Sequence, residues 1–104
     1  MNTYKLSDII LVNSFIEHTM YLVTIANKSI VIYLNKEGLF AFSAKCPHGG
    51  TLLTEGYIDA KNCIVCPTHF YKFNLHTGRE VLGKEYRLKV YKTFLKEGEW
   101  YIEI

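Results

Sequence analysis

Two cysteine–histidine pairs, Cys46-Pro47-His48 and Cys66-Pro67-Thr68-His69, stand seventeen residues apart and constrain this 104-residue chain more than any other feature. For one thiol and one imidazole from each pair to serve a shared centre, two loops distant in sequence must meet. The segments around them have the pattern to deliver such loops. "MYLVTIANKSIVIYLNKEGLFAFSAKC" breaks into three β-branched and aromatic runs, Met20 to Ile25, Ser29 to Leu34 and Leu39 to Ser43, separated by "ANK" and "NKEG". That is the pattern of a β-meander. "GYIDAKNCIVC" predicts two short strands joined at Asp59 to Asn62, and "FYKFNLHTGREV" two more joined through His76-Thr77-Gly78. In "RLKVYKTFLKEGEWYIEI", Leu88, Val90 and Lys92 share one strand face, "KEG" turns, and Trp100, Ile102 and Ile104 alternate with charge in one more hairpin. No segment sustains a helical period, and "KLSDIILVN" has room for a turn or two at most. Pro47 and Pro67, the only prolines, each follow a cysteine directly, which sets both cysteines at strand ends entering loops. The reading is one antiparallel all-β domain spanning residues 1–104.

Composition sets limits on function. With 49% hydrophobic residues, eight Tyr and six Phe, the chain has ample material for a packed core and does not read as disordered. A formal charge of +2, with no two Lys or Arg adjacent, gives no reason to expect a nucleic-acid partner. The apolar run Ile9 to Val12 is far too short for a signal-peptide core or a membrane span of about 20 residues, so a soluble, cytoplasmic monomer is expected. Three cysteines cannot all pair with one another, and in a reducing compartment a Cys/His set points to metal rather than to disulfides.

Two kinds of centre accept two cysteines and two histidines. A tetrahedral zinc would, as in a zinc-stabilised binding module, but the familiar zinc-finger order puts both cysteines on one arm and both histidines on the other. An iron–sulfur centre of the Rieske kind takes two cysteines on one iron and two histidines on the other, so that mixed pairs on two loops grip it from both sides. The double motif, followed by "FYKFNLHTGRE", resembles a low-potential, soluble Rieske-type [2Fe–2S] ferredoxin of the kind that serves dioxygenases. The resemblance implies a Rieske iron–sulfur fold of stacked antiparallel sheets, with a two-loop cluster-binding subdomain at the tip, about residues 44–76. It also implies one [2Fe–2S] cluster per chain, with Cys46 and Cys66 on one iron and His48 and His69 on the other.

From the same resemblance follows a function. The protein would be a one-electron carrier, not itself an enzyme, passing electrons from a flavin reductase to an oxygenase or similar acceptor. The alternative is a Rieske small subunit of a larger oxidoreductase such as a nitrite reductase-like complex; such subunits often lack the ligands, all four of which are present here. High-potential relatives carry a further cysteine in each loop, forming a disulfide, and a serine and tyrosine after the second histidine that donate to sulfur. Thr51, Thr68, Tyr71 and Phe73 occupy those positions. Fewer donors toward sulfur predict a potential at the low end of the Rieske range, about −150 mV. Phe70 stands where the family commonly has glycine, which bears on the loop's shape and on access to His69.

The remaining candidates have plainer readings. Cys63, although it completes a C-x-x-C with Cys66, lies in the strand-like "CIVC" and reads as a buried apolar residue. His18 and His76 read as turn residues. Gly49 and Gly50 either form a simple loop or let backbone N–H groups approach the cluster sulfides. Tyr71, Phe73 and Leu53 read as core residues that also shield the centre. The charges Lys45, Glu55, Lys61, Lys72 and Arg79 are mixed in sign and leave a partner face barely legible.

Overall fold

The computed structural model describes residues 2–10 and 15–104. Among these residues ten strands form three antiparallel sheets: β1 (Thr3–Lys5), β2 (Met20–Ile25), β3 (Lys28–Asn35), β4 (Gly38–Ser43), β5 (Tyr57–Ile58), β6 (Cys63–Val65), β7 (Lys72–Asn74), β8 (Val90–Tyr91), β9 (Thr93–Lys96) and β10 (Glu99–Glu103). The central sheet runs β2-β3-β4-β8, an outer sheet β1-β10-β9, and a small sheet β5-β6-β7. The meander matches its sequence reading to within a residue at each end.

Alternation along β3 and β4 explains the layering. Ile30, Ile32, Leu39 and Ala41 face one core, shared with Leu6, Ile25 and Ile102. Val31, Tyr33, Phe40 and Phe42 face a second, which holds Ile64, Phe73, Leu75, Leu88, Cys46 and Cys66. A strand buried on both faces reads as an unbroken apolar run, as "SIVIYL" does. At the end of the small sheet away from the cysteine loops, Asn35 Nδ2 donates to Asn62 Oδ1 at 2.8 Å and Asn62 Nδ2 to Glu37 Oε2 at 2.6 Å. These bonds tie the small sheet to the β3–β4 turn and satisfy two buried amides.

Two expectations change and one holds. The stretch after Leu88 is not one strand: Val90 and Tyr91 pair with β4, whereas Thr93 to Lys96 pair with β10. The chain passes from the central to the outer sheet at Lys92, which is exposed, so Leu88, Val90 and Lys92 share no continuous face. After the His76 turn, Phe73↔Glu80 and Arg79↔Arg87 are single bridges rather than a full strand. "KLSDIILVN" yields the 3-10 turn Leu6–Asp8; Leu11 and Val12 of its apolar run lie outside the described residues.

Candidate metal centre

Both cysteines end a strand-like stem and open loops of the same construction. In the first, the Cys46 amide donates to the Thr51 carbonyl at 2.8 Å; in the second, the Cys66 amide donates to the Tyr71 carbonyl, also at 2.8 Å. Each loop thus closes across five residues. The stem of the first is the bridge Lys45↔Leu52; that of the second is the β6–β7 pair Val65↔Lys72. Thr51 Oγ1 donates to Thr68 Oγ1 at 2.9 Å, joining the loops at the two positions where a disulfide would stand in high-potential relatives.

The donors are layered. Cys46 and Cys66 are almost wholly buried, 2% and 1% exposed, in the core beneath the loops, and neither is in a disulfide. Burial pushes the Cys46 thiol up, and the Cys66 thiol close against it pushes it further; the backbone N–H groups of His48 and Gly49 oppose both. A negative sulfur here is therefore costly unless a cation compensates it. His48 and His69 lie further out, half-buried and exposed respectively, with ring centroids 5.0 Å apart. Thiols inside and imidazoles outside fit a group that asks for two anionic and two neutral ligands. Among the described residues no three His, Cys, Asp or Glu side chains gather round a point that one ion could occupy.

The aromatic surroundings are organised round His48. Tyr71 stacks on its ring with centroids 4.2 Å apart and planes 30° apart. Tyr86, from the segment 81–87, meets it edge-on at 5.3 Å. Among the described residues the His48 ring alone stands beside that of His69, and φ is 65° at His69 and 56° at Phe70. The glycine usual in the family is absent, yet the left-handed backbone that glycine would serve is kept by two L residues. Phe70 is 65% exposed and leaves His69 open to solvent.

Beneath the second loop, Glu80 is a feature sequence reasoning missed. Its carboxylate is buried and accepts the N–H of Lys72 at 2.9 Å, of Leu82 at 2.7 Å and of Lys84 at 3.0 Å. Burial by itself would raise this carboxyl, but those amides and the Lys84 charge outweigh it and hold the group below the usual range. Two of its partners are local, two and four residues on, and the third, Lys72, lies eight residues back across the His76 turn. Cys63 is buried as expected, 5% exposed. His18 and His76 sit in turns, His18 with φ of 64°. Gly50 takes a left-handed backbone with φ of 77°, and its N–H donates to the Cys46 carbonyl at 2.8 Å.

Residues 7–92 match the family model of the Rieske [2Fe–2S] domain, and the chain belongs to that family, whose domains bind one [2Fe–2S] cluster each. A 3-phenylpropionate/cinnamic acid dioxygenase ferredoxin subunit from Photorhabdus laumondii subsp. laumondii is 35% identical over 66 residues, which span 62% of this chain and 63% of that protein. A chain of the solved complex of reduced oxygenase and oxidised ferredoxin in carbazole 1,9a-dioxygenase is 28% identical, with a TM-score of 0.73 over 88% of this chain and 94% of that one. A structure described as an NADPH nitrite reductase small subunit superposes over 100% of both chains with a TM-score of 0.78, at 16% identity; that likeness shows the fold alone. Among the described residues no helix is long and apolar enough to cross a membrane.

Proposed function

We propose that the protein is a one-electron carrier, a ferredoxin taking electrons from a flavin reductase to an oxygenase or similar acceptor, and not itself an enzyme. The observation that carries this is the layering of the donors: two thiols buried side by side, with two imidazoles above them at the surface. Cys46 and Cys66 would hold one iron and His48 and His69 the other. The bound cluster supplies a one-electron couple. The chain's own part is to keep water from the sulfurs with Leu53, Phe73 and Tyr71, to oppose the effect of burial on Cys46 with the His48 and Gly49 amides, and to present His69 at the surface. Residues 1–104 form one Rieske domain in this reading, with about 44–76 as its cluster-binding portion. A monomer in the cytoplasm is part of the same reading, and the free cysteines fit a reducing compartment. The fold likeness to a nitrite reductase small subunit does not displace this reading, because all four donors are present.

Anaerobically purified protein should be red-brown, with two irons and two sulfides per chain. Cys46→Ser and Cys66→Ser should each abolish the visible spectrum, whereas Cys63→Ser should retain it with at least about 80% of the iron, since Cys63 lies in β6 beneath the loops. Stoichiometric zinc in colourless protein, or cluster loss in the Cys63 variant alone, would sink the ligand assignment.

A further inference from the structure

The bridge Arg79↔Arg87 sets two arginines directly opposite each other, an arrangement that weakens a pair of strands through like-charge repulsion. Both are exposed, and neither is in an ion pair among the described residues, where Lys72–Asp59 at 3.4 Å is the one ion pair. Between Lys72 and Lys92 the chain carries six Lys and Arg against two Glu, in a protein whose whole formal charge is +2. One of those two acids, Glu80, is buried with its oxygens committed to backbone amides. The positive charge is therefore concentrated in this part of the chain, with Lys72 drawn to Asp59.

That part adjoins the candidate centre. Lys84 Nζ lies 6.0 Å from the centroid of the Tyr71 ring, which stacks on His48. Tyr86, the immediate neighbour of Arg87, meets the same imidazole edge-on. Leu82 and Phe70, 61% and 65% exposed, supply apolar surface beside the charge. An apolar patch with a basic rim fits a protein surface of opposite charge.

Resting on the carrier reading above, we infer that Arg79, Lys84 and Arg87 form the docking face for an acidic surface on the electron donor. Charge counting selects the donor over the acceptor. Two ferric ions, two sulfides and two thiolates sum to about zero, and one added electron makes the site −1. An acidic partner thus binds the oxidised carrier more tightly than the reduced one. For a donor this means docking before transfer and release after it; for an acceptor the order would be reversed.

The test uses oxidised holoprotein and two one-electron reductants of opposite charge: the sulfur dioxide radical anion from dithionite, oxidised to sulfur dioxide, and the methyl viologen radical cation, oxidised to the dication. At about 10 mM ionic strength the variant Arg79→Gln/Lys84→Gln/Arg87→Gln should be reduced by the anion about fivefold more slowly than wild type, and by the cation faster. The difference should vanish near about 0.5 M salt. A control of equal charge, Lys36→Gln/Lys61→Gln/Lys96→Gln, should change either rate less than about twofold. A second readout is elution from a sulfonate cation-exchange column. There the first variant should leave at lower salt than the control, and wild-type protein should leave earlier when reduced than when oxidised. Equal effects in the two triple variants, or faster anion reduction in the first, would overturn the docking face. Retention unchanged or stronger on reduction would overturn its assignment to the donor. A protein with no [2Fe–2S] spectrum that takes electrons from neither reductant would instead defeat the carrier reading.

Discussion

The two cysteine loops close on the same amide–carbonyl bond along different backbone paths. The first enters the left-handed region at Gly50, with φ of 77°, whereas the second is already there at His69, with φ of 65°, and stays there at Phe70, with φ of 56°. Glycine takes that conformation without steric cost, whereas an L residue there costs roughly 1–2 kcal/mol, and the second loop has two such residues because His69 precedes Phe70. The second loop also has support the first lacks, in the buried Glu80 carboxylate that fixes the Lys72 amide at its exit. One loop reaches its shape through a permissive residue. The other is held in shape by what is packed behind it.

This contrast can be broken most severely at Glu80. Glu80→Gln removes an acceptor from a buried site where three backbone amides converge, so a loss of about 2–3 kcal/mol is expected by urea denaturation at neutral pH. The sign with pH follows from the lowered carboxyl. Its stabilisation is fully present above the unfolded Glu range, near about pH 4.3, and is lost as pH falls through the lower folded value. Wild type should therefore lose stability toward the variant below about pH 4.5, with Asp59, also lowered in spite of burial by the Cys63 and Lys61 amides and Lys72, keeping its own acid dependence in both. A gap between the two proteins that stays constant from about pH 7 to pH 3 would contradict the role given to the carboxylate.

Gly50→Ala is expected to cost about 1 kcal/mol. A Cβ at Gly50 meets nothing within 4 Å, so the whole effect would be backbone strain, and an unchanged thermal midpoint would remove the contrast between the loops. The smallest effect should come from Phe70→Gly, a gain of about 0.5 kcal/mol as released strain exceeds the added freedom of the unfolded chain. A loss greater than about 1 kcal/mol would instead give the exposed Phe70 ring a packing role.

How far the sequence carried this picture depended on the range of the contacts. The meander was readable because β3 and β4 bury both faces, leaving apolar runs cut only by "NKEG" and "ANK". The cysteine pairs were readable because spacing and the adjacent prolines placed them on loops. Glu80, Tyr86 and the opposed arginines were not, since each acquires its role from residues brought near by folding; Tyr86 lies far along the chain from His48. The break at Lys92 escaped notice for a related reason. "VYKTFL" alternates acceptably as one strand, and only the separate demands of β4 and β10 divide it between sheets.

The Thr51–Thr68 contact carries a consequence for how the site is assembled. A neutral, solvent-exposed hydroxyl pair contributes about 0.5–1.5 kcal/mol, against the 2–4 kcal/mol typical of a disulfide. It has no oxidation state, so thiols and low-potential reductants that would cut a covalent bridge leave it intact. It is also weak enough to open by thermal fluctuation, which lets the two loops part to receive their metal and sulfide. On the ligand assignment proposed above, the metal–ligand bonds would themselves become the main tie between the loops once the site is loaded.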